Sequence, residues 1–253
     1  MLLPMRRLYS LMVLAGLAVP LVAAVWLPAG ALEFDRLRML TTAEHVPWRA
    51  VGRVNIATTA ELSMCTGTLI GEDLVLTAAH CVMNPRTGTA YRPGAVHFVA
   101  GWRRGQKVGA SRAAAITVHP DYRMAEQLDA ERIGTDLALI RLADPIPRAK
   151  APFFGIAPAP QPGAPLTLIS YRQDRPHALT RQRGCAIMGI RDAVMALSCN
   201  VTFGASGSPV FMSSGDEMRL VAVITAMGSD PAHPVAYAVL VDAAIAAVLA
   251  ALE

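Results

Sequence analysis

The sequence carries little charge and few aromatic side chains. Asp, Glu, Lys and Arg make up 17% of the 253 residues, Phe, Trp and Tyr make up 6%, and the formal net charge is +4. A nucleic-acid-binding protein needs a clustered basic face, so this near balance argues against nucleic acid as a partner. Hydrophobic residues nonetheless reach 53%. A chain this apolar can bury a core, which excludes disorder as its main state.

Sequence repeats and long helical patterns are also missing. No period of about 20–50 residues recurs, which argues against a solenoid. The 19 Gly and 18 Pro are spread along the chain and disfavour a helical bundle. From about residue 47, short apolar runs alternate with turns, which is typical of short antiparallel strands. The predicted fold class is therefore all-β, either a pair of barrels or a sandwich.

Residues 1–31 have the layout of a secretory signal peptide. Arg6 and Arg7 form a basic flank, Leu8 to Leu27 is a largely apolar run, and Ala29-Gly30-Ala31 has the pattern of a cleavage site. The alternative is a retained membrane anchor, because the apolar run is almost long enough to span a bilayer. Both alternatives predict a periplasmic or secreted protein, in a compartment where disulfides persist. No other membrane contact is expected.

The rest of the chain divides by composition into two β-rich halves and shorter segments. Prolines are dense between Pro145 and Pro165, and such a stretch cannot continue a sheet. Near the end, Asp242 is the expected N-cap of an amphipathic helix. The expected boundaries are an N-terminal segment over 32–46, a first β-rich half over 47–145, a linker over 146–165, a second β-rich half over 166–241 and a helix over 242–253.

Three polar residues stand in surroundings that suit catalysis. His80 follows an apolar strand, Asp136 precedes one, and Ser206 lies among small residues. A carboxylate buried in such a strand must be paired or hydrogen-bonded. Small residues beside a serine permit a tight turn whose N–H groups converge on one point. Each feature alone is more often structural, but together they supply the nucleophile, base and orienting acid of acyl transfer.

These segments resemble the chymotrypsin-like (trypsin-fold) serine proteases, especially their bacterial secreted, glutamyl-endopeptidase-like branch. The order His, Asp, Ser is the order of that family, and the strand pattern extends the likeness to about residues 50–253. The resemblance implies two six-stranded antiparallel β-barrels with the site in the cleft between them. The matching segments are Cys65–Ile70, Thr77–Cys81, His119–Tyr122, Thr135–Leu139 and Gly204–Pro209.

The resemblance also implies a role for each site residue. Ser206 would attack the scissile carbonyl, His80 would act as the general base, and Asp136 would orient His80. The N–H groups of Gly204 and Ser206 would form the oxyanion hole. Neither a metal nor a cofactor is called for. The expected partners are protein or peptide substrates, and the protein is expected to be a monomer.

The four cysteines allow three pairings on number alone. The family resemblance implies one disulfide between Cys65 and Cys81, beside the catalytic histidine. It implies the other between Cys185 and Cys199.

Two departures from the trypsin-like branch affect activation and specificity. Ala205 replaces an Asp that pairs with a newly cut N-terminal ammonium, so activation of that type is not expected. The pocket wall over residues 222–228 lacks the histidine of glutamate-selective relatives. Small or medium neutral P1 side chains are therefore expected, in a substrate pocket formed by Asn200, Val201, Thr225 and Met227.

The predicted function is that of an exported serine endopeptidase. Two alternatives stay open, an esterase that uses the same triad and a non-catalytic binding protein on a protease scaffold. A cluster of arginines in the second half is expected to lie on a solvated loop rather than to bind nucleic acid. Its members are Arg172, Arg175, Arg181 and Arg183.

Overall fold

The computed structural model describes residues 37–57, 62–124, 129–230 and 234–252. The predicted signal peptide, residues 1–31, lies outside the described residues. Within the described ranges, none of the helices combines the length and the apolar character that crossing a bilayer requires.

Strands account for most of the regular structure in the described chain. They are β1 (Arg38–Met39), β2 (Val51–Ala57), β3 (Leu62–Leu69), β4 (Leu74–Thr77), β5 (Met83–Asn84), β6 (Thr89–Ala90), β7 (Val96–Ala100), β8 (Gly109–Val118), β9 (Ala138–Leu142), β10 (Leu166–Arg172), β11 (Arg175–Cys185), β12 (Ile187–Arg191), β13 (Val194–Leu197), β14 (Pro209–Ser214), β15 (Glu217–Met227) and β16 (Ala236–Leu240). The α-helices are α1 (Thr42–His45), α2 (Ala130–Thr135) and α3 (Val241–Ala250), and short 3-10 helices lie at Val46–Trp48, Ala79–Cys81 and Pro93–Ala95.

The first β-rich half is a closed, antiparallel six-stranded barrel with the strand order β2-β3-β4-β9-β8-β7. Its strands alternate in burial as a barrel wall requires. In β2, Val54 and Ile56 are buried in the barrel core, whereas Arg53 and Asn55 are only partly buried on the other face. The expected six-stranded barrel is therefore present in this half.

The second half is an eight-stranded antiparallel sheet with the strand order β1-β11-β10-β14-β15-β16-β13-β12. The all-β fold class is confirmed, but this sheet does not close like the first barrel. Each of its two ends carries an added strand. The short β1 pairs with β11 at one end, and β12 forms a hairpin with β13 at the other. The Cys185–Cys199 disulfide links the end of β11 to the segment after β13.

A cluster of aromatic rings joins the two halves. Trp48 lies before β2, Phe154 in the proline-rich segment and Phe211 on β14. The ring centroids of Phe154 and Phe211 are 4.5 Å apart, and those of Trp48 and Phe211 are 5.1 Å apart. Between Leu142 and Leu166 the chain forms no named strand, as its prolines predict. The segment nonetheless packs on the second sheet, since Ala157 N–H donates to Leu220 O at 2.9 Å.

The C-terminal helix is present, but its start differs from the prediction. Helix α3 begins at Val241 with Leu240 as its N-cap, so the prediction of Asp242 as N-cap is wrong. The carboxylate of Asp242 instead accepts a hydrogen bond from Ala159 N–H at 2.9 Å. That hydrogen bond attaches the linker to the helix. The carboxylate also lies in the first turn of the helix, where its negative charge interacts favourably with the helix dipole.

The expectation that the arginine cluster lies on a solvated loop is wrong. Arg172 ends β10 and Arg181 lies on β11, and the two residues are only 5% and 8% exposed. Their guanidinium groups have acidic neighbours, Asp174 for Arg172 and Glu44 for Arg181. These ion pairs explain why the arginines can be buried.

We predict that Gly52→Ala destabilises the first barrel by about 1–3 kcal/mol, because overpacking a tight core costs this much. A Cβ at Gly52 would collide with the Phe98 ring and lie 2.6 Å from Val99 O. Gly189→Ala is the matched control, since Gly189 is also in a strand but a Cβ there meets nothing within 4 Å. Urea unfolding measures both variants. Equal midpoints for the two would contradict the prediction.

Candidate active site

Two hydrogen bonds hold His80 to Asp136. His80 Nδ1 lies 2.7 Å from Asp136 Oδ2, and the backbone N–H of His80 donates to Asp136 Oδ1 at 2.9 Å. Because the carboxylate accepts at Nδ1, the neutral ring carries its proton there and leaves Nε2 as an acceptor. The pair therefore fixes both the orientation and the tautomer of the imidazole.

The chain reaches this contact from two directions. After β4 ends at Thr77, the 3-10 helix Ala79–Cys81 carries His80 to the rim of the barrel. Asp136 lies between α2 and β9, and it is 5% exposed. Helix α2 was not expected from the sequence. Its start is capped by Asp129, whose side chain accepts a hydrogen bond from Arg132 N–H at 2.8 Å. This Asp129 cap was the available sequence signal.

Opposing effects set the pKa of His80. Burial lowers the pKa, because it disfavours the charged ring. The charge of Asp136 and its hydrogen bond raise the pKa, whereas the charge of Arg132 lowers it. The net result is a pKa of His80 above its ordinary value of 6.5. Asp136 therefore stabilises the imidazolium form that a general base must become.

Ser206 lies in a tight turn that glycine makes possible. Gly204 and Gly207 have φ angles of +87° and +78°, in the left-handed region that favours glycine. A Cβ at Gly207 would also collide with Thr66 O and Thr77 Oγ1. The small residues around Ser206 are thus required by both the backbone angle and the space available.

Thr66 ties this turn to the first barrel. Its N–H donates to Ser206 O at 2.8 Å, and its Oγ1 donates to Gly204 O at 2.9 Å. The same Oγ1 accepts from Tyr171 N–H at 3.0 Å, and Thr66 is fully buried. Thr66 lies in one of the segments that match the family, but its role could not be predicted, because its partners are far away in the chain.

Two backbone N–H groups of the turn are free to bind a ligand. Ala205 N–H donates to Thr202 O, Gly207 N–H to Ile224 O and Ser208 N–H to Ala205 O. Within the described residues, the N–H groups of Gly204 and Ser206 have no such acceptor. They are the two groups that the resemblance assigns to an oxyanion hole.

One cleft of about 1330 Å³ is lined by His80, Asp136, Gly204 and Ser206. The structure thus brings the three proposed triad residues to the same cleft. Between these described residues there is a hydrogen bond from His80 to Asp136 but none from Ser206 to His80. The sulfur of Cys81 lies 3.7 Å from His80 Nε2.

A disulfide joins Cys65 to Cys81 beside the histidine. The sulfur atoms and a ring nitrogen of His80 lie within 4.8 Å of one another, a spacing that could suit a metal ion. Metal binding requires thiolates, however, and both sulfurs are bonded to each other. The disulfide instead braces the 3-10 helix that carries His80.

Three of the four predicted pocket residues line the cleft, namely Val201, Thr225 and Met227. Asn200 does not line it. Its N–H donates to Gln182 Oε1 at 3.0 Å, and its carbonyl accepts from Arg172 Nη1 at 2.9 Å. The structure therefore places Asn200 outside the lining of the cleft, where it is exposed and anchors Arg172.

Comparisons with known proteins agree with this architecture. Three solved structures superpose with TM-scores of 0.64–0.66: a thermostable serine protease AL20 from an extremophilic microorganism, the protease Anisep from Arthrobacter nicotinovorans, and a Glu endopeptidase. Their sequence identities are 17%, 17% and 18%, the matches cover 81%, 82% and 86% of this chain, and they cover 98%, 98% and 97% of those chains.

At such identities these likenesses show the fold alone. No curated protein matches the sequence. The Trypsin family model matches residues 40–248, which is most of the chain and includes both halves of the cleft. The chain belongs to the trypsin family.

Proposed function

We propose that this protein is an exported serine endopeptidase that hydrolyses peptide bonds through Ser206, His80 and Asp136. Membership of the trypsin family supports a serine protease, and thus protein or peptide substrates. The observation that carries the assignment of residues is the two-point hydrogen bonding of His80 by Asp136, in the cleft that Ser206 lines. The two disulfides are consistent with a periplasmic or extracellular location.

In the proposed reaction, Ser206 Oγ attacks the scissile carbonyl carbon while His80 Nε2 takes the hydroxyl proton. The resulting imidazolium is stabilised by Asp136, and it then protonates the leaving amine as the C–N bond breaks. Water repeats these steps on the acyl-enzyme, with His80 again as the base. The hydrogen bond from Ser206 to His80 is expected to form in the substrate complex, because catalytic hydrogen bonds are often long before substrate binds.

The negative oxygen of the tetrahedral intermediate binds to the N–H groups of Gly204 and Ser206. These groups have no competing acceptor among the described residues, so they can donate without first breaking another bond. The turn is held by Thr66 and by the tight contacts at Gly207 rather than by an ion pair at position 205. The oxyanion hole is therefore formed on folding, and the enzyme needs no activation of the trypsin type.

The neighbouring pocket favours neutral side chains. Val201, Thr225 and Met227 line it, and none of them is charged. Met227 is 39% exposed, so its side chain narrows the pocket entrance. Small or medium neutral P1 residues are the proposed specificity.

Replacing the nucleophile is the first test. Ser206→Ala should lower peptide turnover by on the order of 10⁶, the loss seen when a triad serine is removed. The variant should also lose covalent labelling by a fluorophosphonate probe, measured by intact-protein mass spectrometry. Ser213→Ala is the control, because Ser213 lies on β14 and does not line the cleft. The probe should still label this variant at Ser206.

If folded wild-type protein resisted the probe, the protein would be a binding protein rather than an enzyme. Labelling combined with hydrolysis of esters but not of any peptide would indicate an esterase.

The rate should rise with pH as His80 loses its proton. His80 must be neutral to act as a base, and its pKa lies above 6.5. The acid limb of kcat/KM is therefore expected to have its midpoint above pH 6.5, with a plateau at higher pH. Circular dichroism over the same range controls for unfolding. A midpoint below pH 6.5 with the fold intact would show that Asp136 does not dominate the charge of His80.

Removing the carboxylate tests the electrostatics directly. In Asp136→Asn the pKa of His80 should fall below its wild-type value, because burial and Arg132 still lower it and the opposing charge is gone. Turnover should fall by about 10⁴, since the tautomer is no longer fixed. NMR titration of the histidine rings measures the shift. Asp121→Asn is the matched control. Its carboxylate lies 4.0 Å from His119 Nδ1, so that variant should lower the pKa of His119 and leave His80 unchanged.

A further inference from the structure

Arg53 is a partly buried cation of the first barrel. It lies on β2 directly opposite Thr66 of β3. Side chains of paired residues lie on the same face of a sheet, so Arg53 shares the face from which Thr66 Oγ1 donates to Gly204 O. Arg53 also lines the active-site cleft. Its guanidinium group is thus placed at the cleft by the register of the barrel.

No acidic group neutralises this arginine. Among the described residues the side chain of Arg53 forms neither a salt bridge nor a hydrogen bond, and its Nε is buried without a partner. Its guanidinium carbon lies 5.6 Å from the centroid of the Trp102 ring, and Tyr171 also interacts with its charge. Burial lowers the pKa of Arg53, which reflects the cost of holding the charge there. A partly buried cation without an anion is a binding group without its ligand.

Two more donors line the cleft. The indole Nε1 of Trp102 is buried and has no hydrogen-bond partner within the described chain. Lys107 is exposed and also lines the cleft. The described residues that line the cleft include one carboxylate, Asp136, and that group is already hydrogen-bonded to His80. We call Arg53, Trp102 and Lys107 the cationic arm.

The cationic arm and the predicted pocket lie on different elements around Ser206. The pocket wall is β15, where Ile224 O accepts from Gly207 N–H. The arm is reached through β2 and β3, where Thr66 N–H donates to Ser206 O. If the acyl part of the substrate occupies the pocket, we expect the leaving-group part to extend toward β2 and β3, and thus toward the arm.

We propose that the cationic arm binds a carboxylate in the leaving-group segment of the substrate. The proposal rests on the peptidase function above, and it adds a second specificity element to that site. A guanidinium group presents a planar fork of donors that matches a carboxylate, and the Trp102 ring supports its flat face. The carboxylate can come from an Asp or Glu side chain or from the C-terminus of a short substrate.

The test compares peptides that differ only in the leaving-group segment. Each peptide has acetylated tetra-alanine as its acyl part. The leaving-group segment carries Asp in one of its first three positions in the acidic peptide and Asn at the same position in its neutral match. A third peptide combines that Asn with a free C-terminal acid. Tetra-alanine methyl ester, which has no such segment, reports whether the catalytic machinery works. A charge-assisted hydrogen bond predicts kcat/KM about tenfold higher for at least one acidic peptide than for its neutral match.

Variants locate the preference. Arg53→Gln should bring the ratio of acidic to neutral peptide close to one, and Arg53→Lys should keep part of it. Lys107→Gln should reduce the ratio less, because Lys107 is exposed, and it serves as a second variant if Arg53→Gln does not fold. Arg191→Gln removes a cation that is 88% exposed and does not line the cleft, so it should keep the full ratio. The Asp and free-acid peptides distinguish the two sources of the carboxylate.

Three results would decide against parts of this picture. Equal rates for all peptides, with the ester hydrolysed, would overturn the carboxylate subsite and leave the peptidase intact. A preference that survives Arg53→Gln and Lys107→Gln would also overturn the subsite. If wild-type protein hydrolysed neither ester nor peptide, the proposed function would fail. Calorimetric binding of the same peptides to Ser206→Ala would then test the arm alone, with Arg53-dependent binding in its favour and no binding against it.

Discussion

The site depends on hydrogen bonds that one buried threonine makes across the two halves of the molecule. Thr66 belongs to the first barrel, yet it donates to the carbonyls of Ser206 and Gly204 in the second half. Those bonds turn the two carbonyls away from the cleft, and the N–H groups of Gly204 and Ser206 remain available. Loss of the Thr66 hydroxyl would leave a buried carbonyl unsatisfied, which costs about 1–3 kcal/mol. Folding and the conformation of the serine turn are therefore coupled through this residue.

A single carboxylate, that of Asp136, positions His80. Asp136 is buried, which would be prohibitive for an isolated carboxylate, but it accepts from both the backbone and the ring of His80. The same carboxylate offsets the effect of burial on His80, whose pKa stays above its ordinary value. Each group thus makes the burial of the other tolerable. The Cys65–Cys81 disulfide links the short helix that carries His80 to strand β3.

The fold class and the candidate residues of the cleft could be predicted because their signals are local. A histidine after an apolar strand, a carboxylate before one, and a serine among small residues are visible in short windows of sequence. The burial of Arg172 and the position of Asn200 could not be predicted this way, since they bind each other across 28 residues of sequence. Thr66 reaches Gly204 across 138 residues. The pairing of β1 with β11 could not be predicted for the same reason, because the two strands lie far apart in the sequence.

The contacts around Ala205 explain how the serine turn can hold its shape without an ion pair. Ala205 has an uncharged side chain and is only 1% exposed. Water therefore has no room to solvate a charge at this position. In the segment before Ala205, Gln173 N–H donates to Phe203 O at 2.8 Å. The neighbouring Arg172 binds Asn200 O and is itself paired with Asp174. The ion pair that stabilises this region joins Arg172 at the end of β10 to Asp174 in the turn after it. This ion pair forms when the sheet forms. The conformation of the serine turn is then a property of the folded chain.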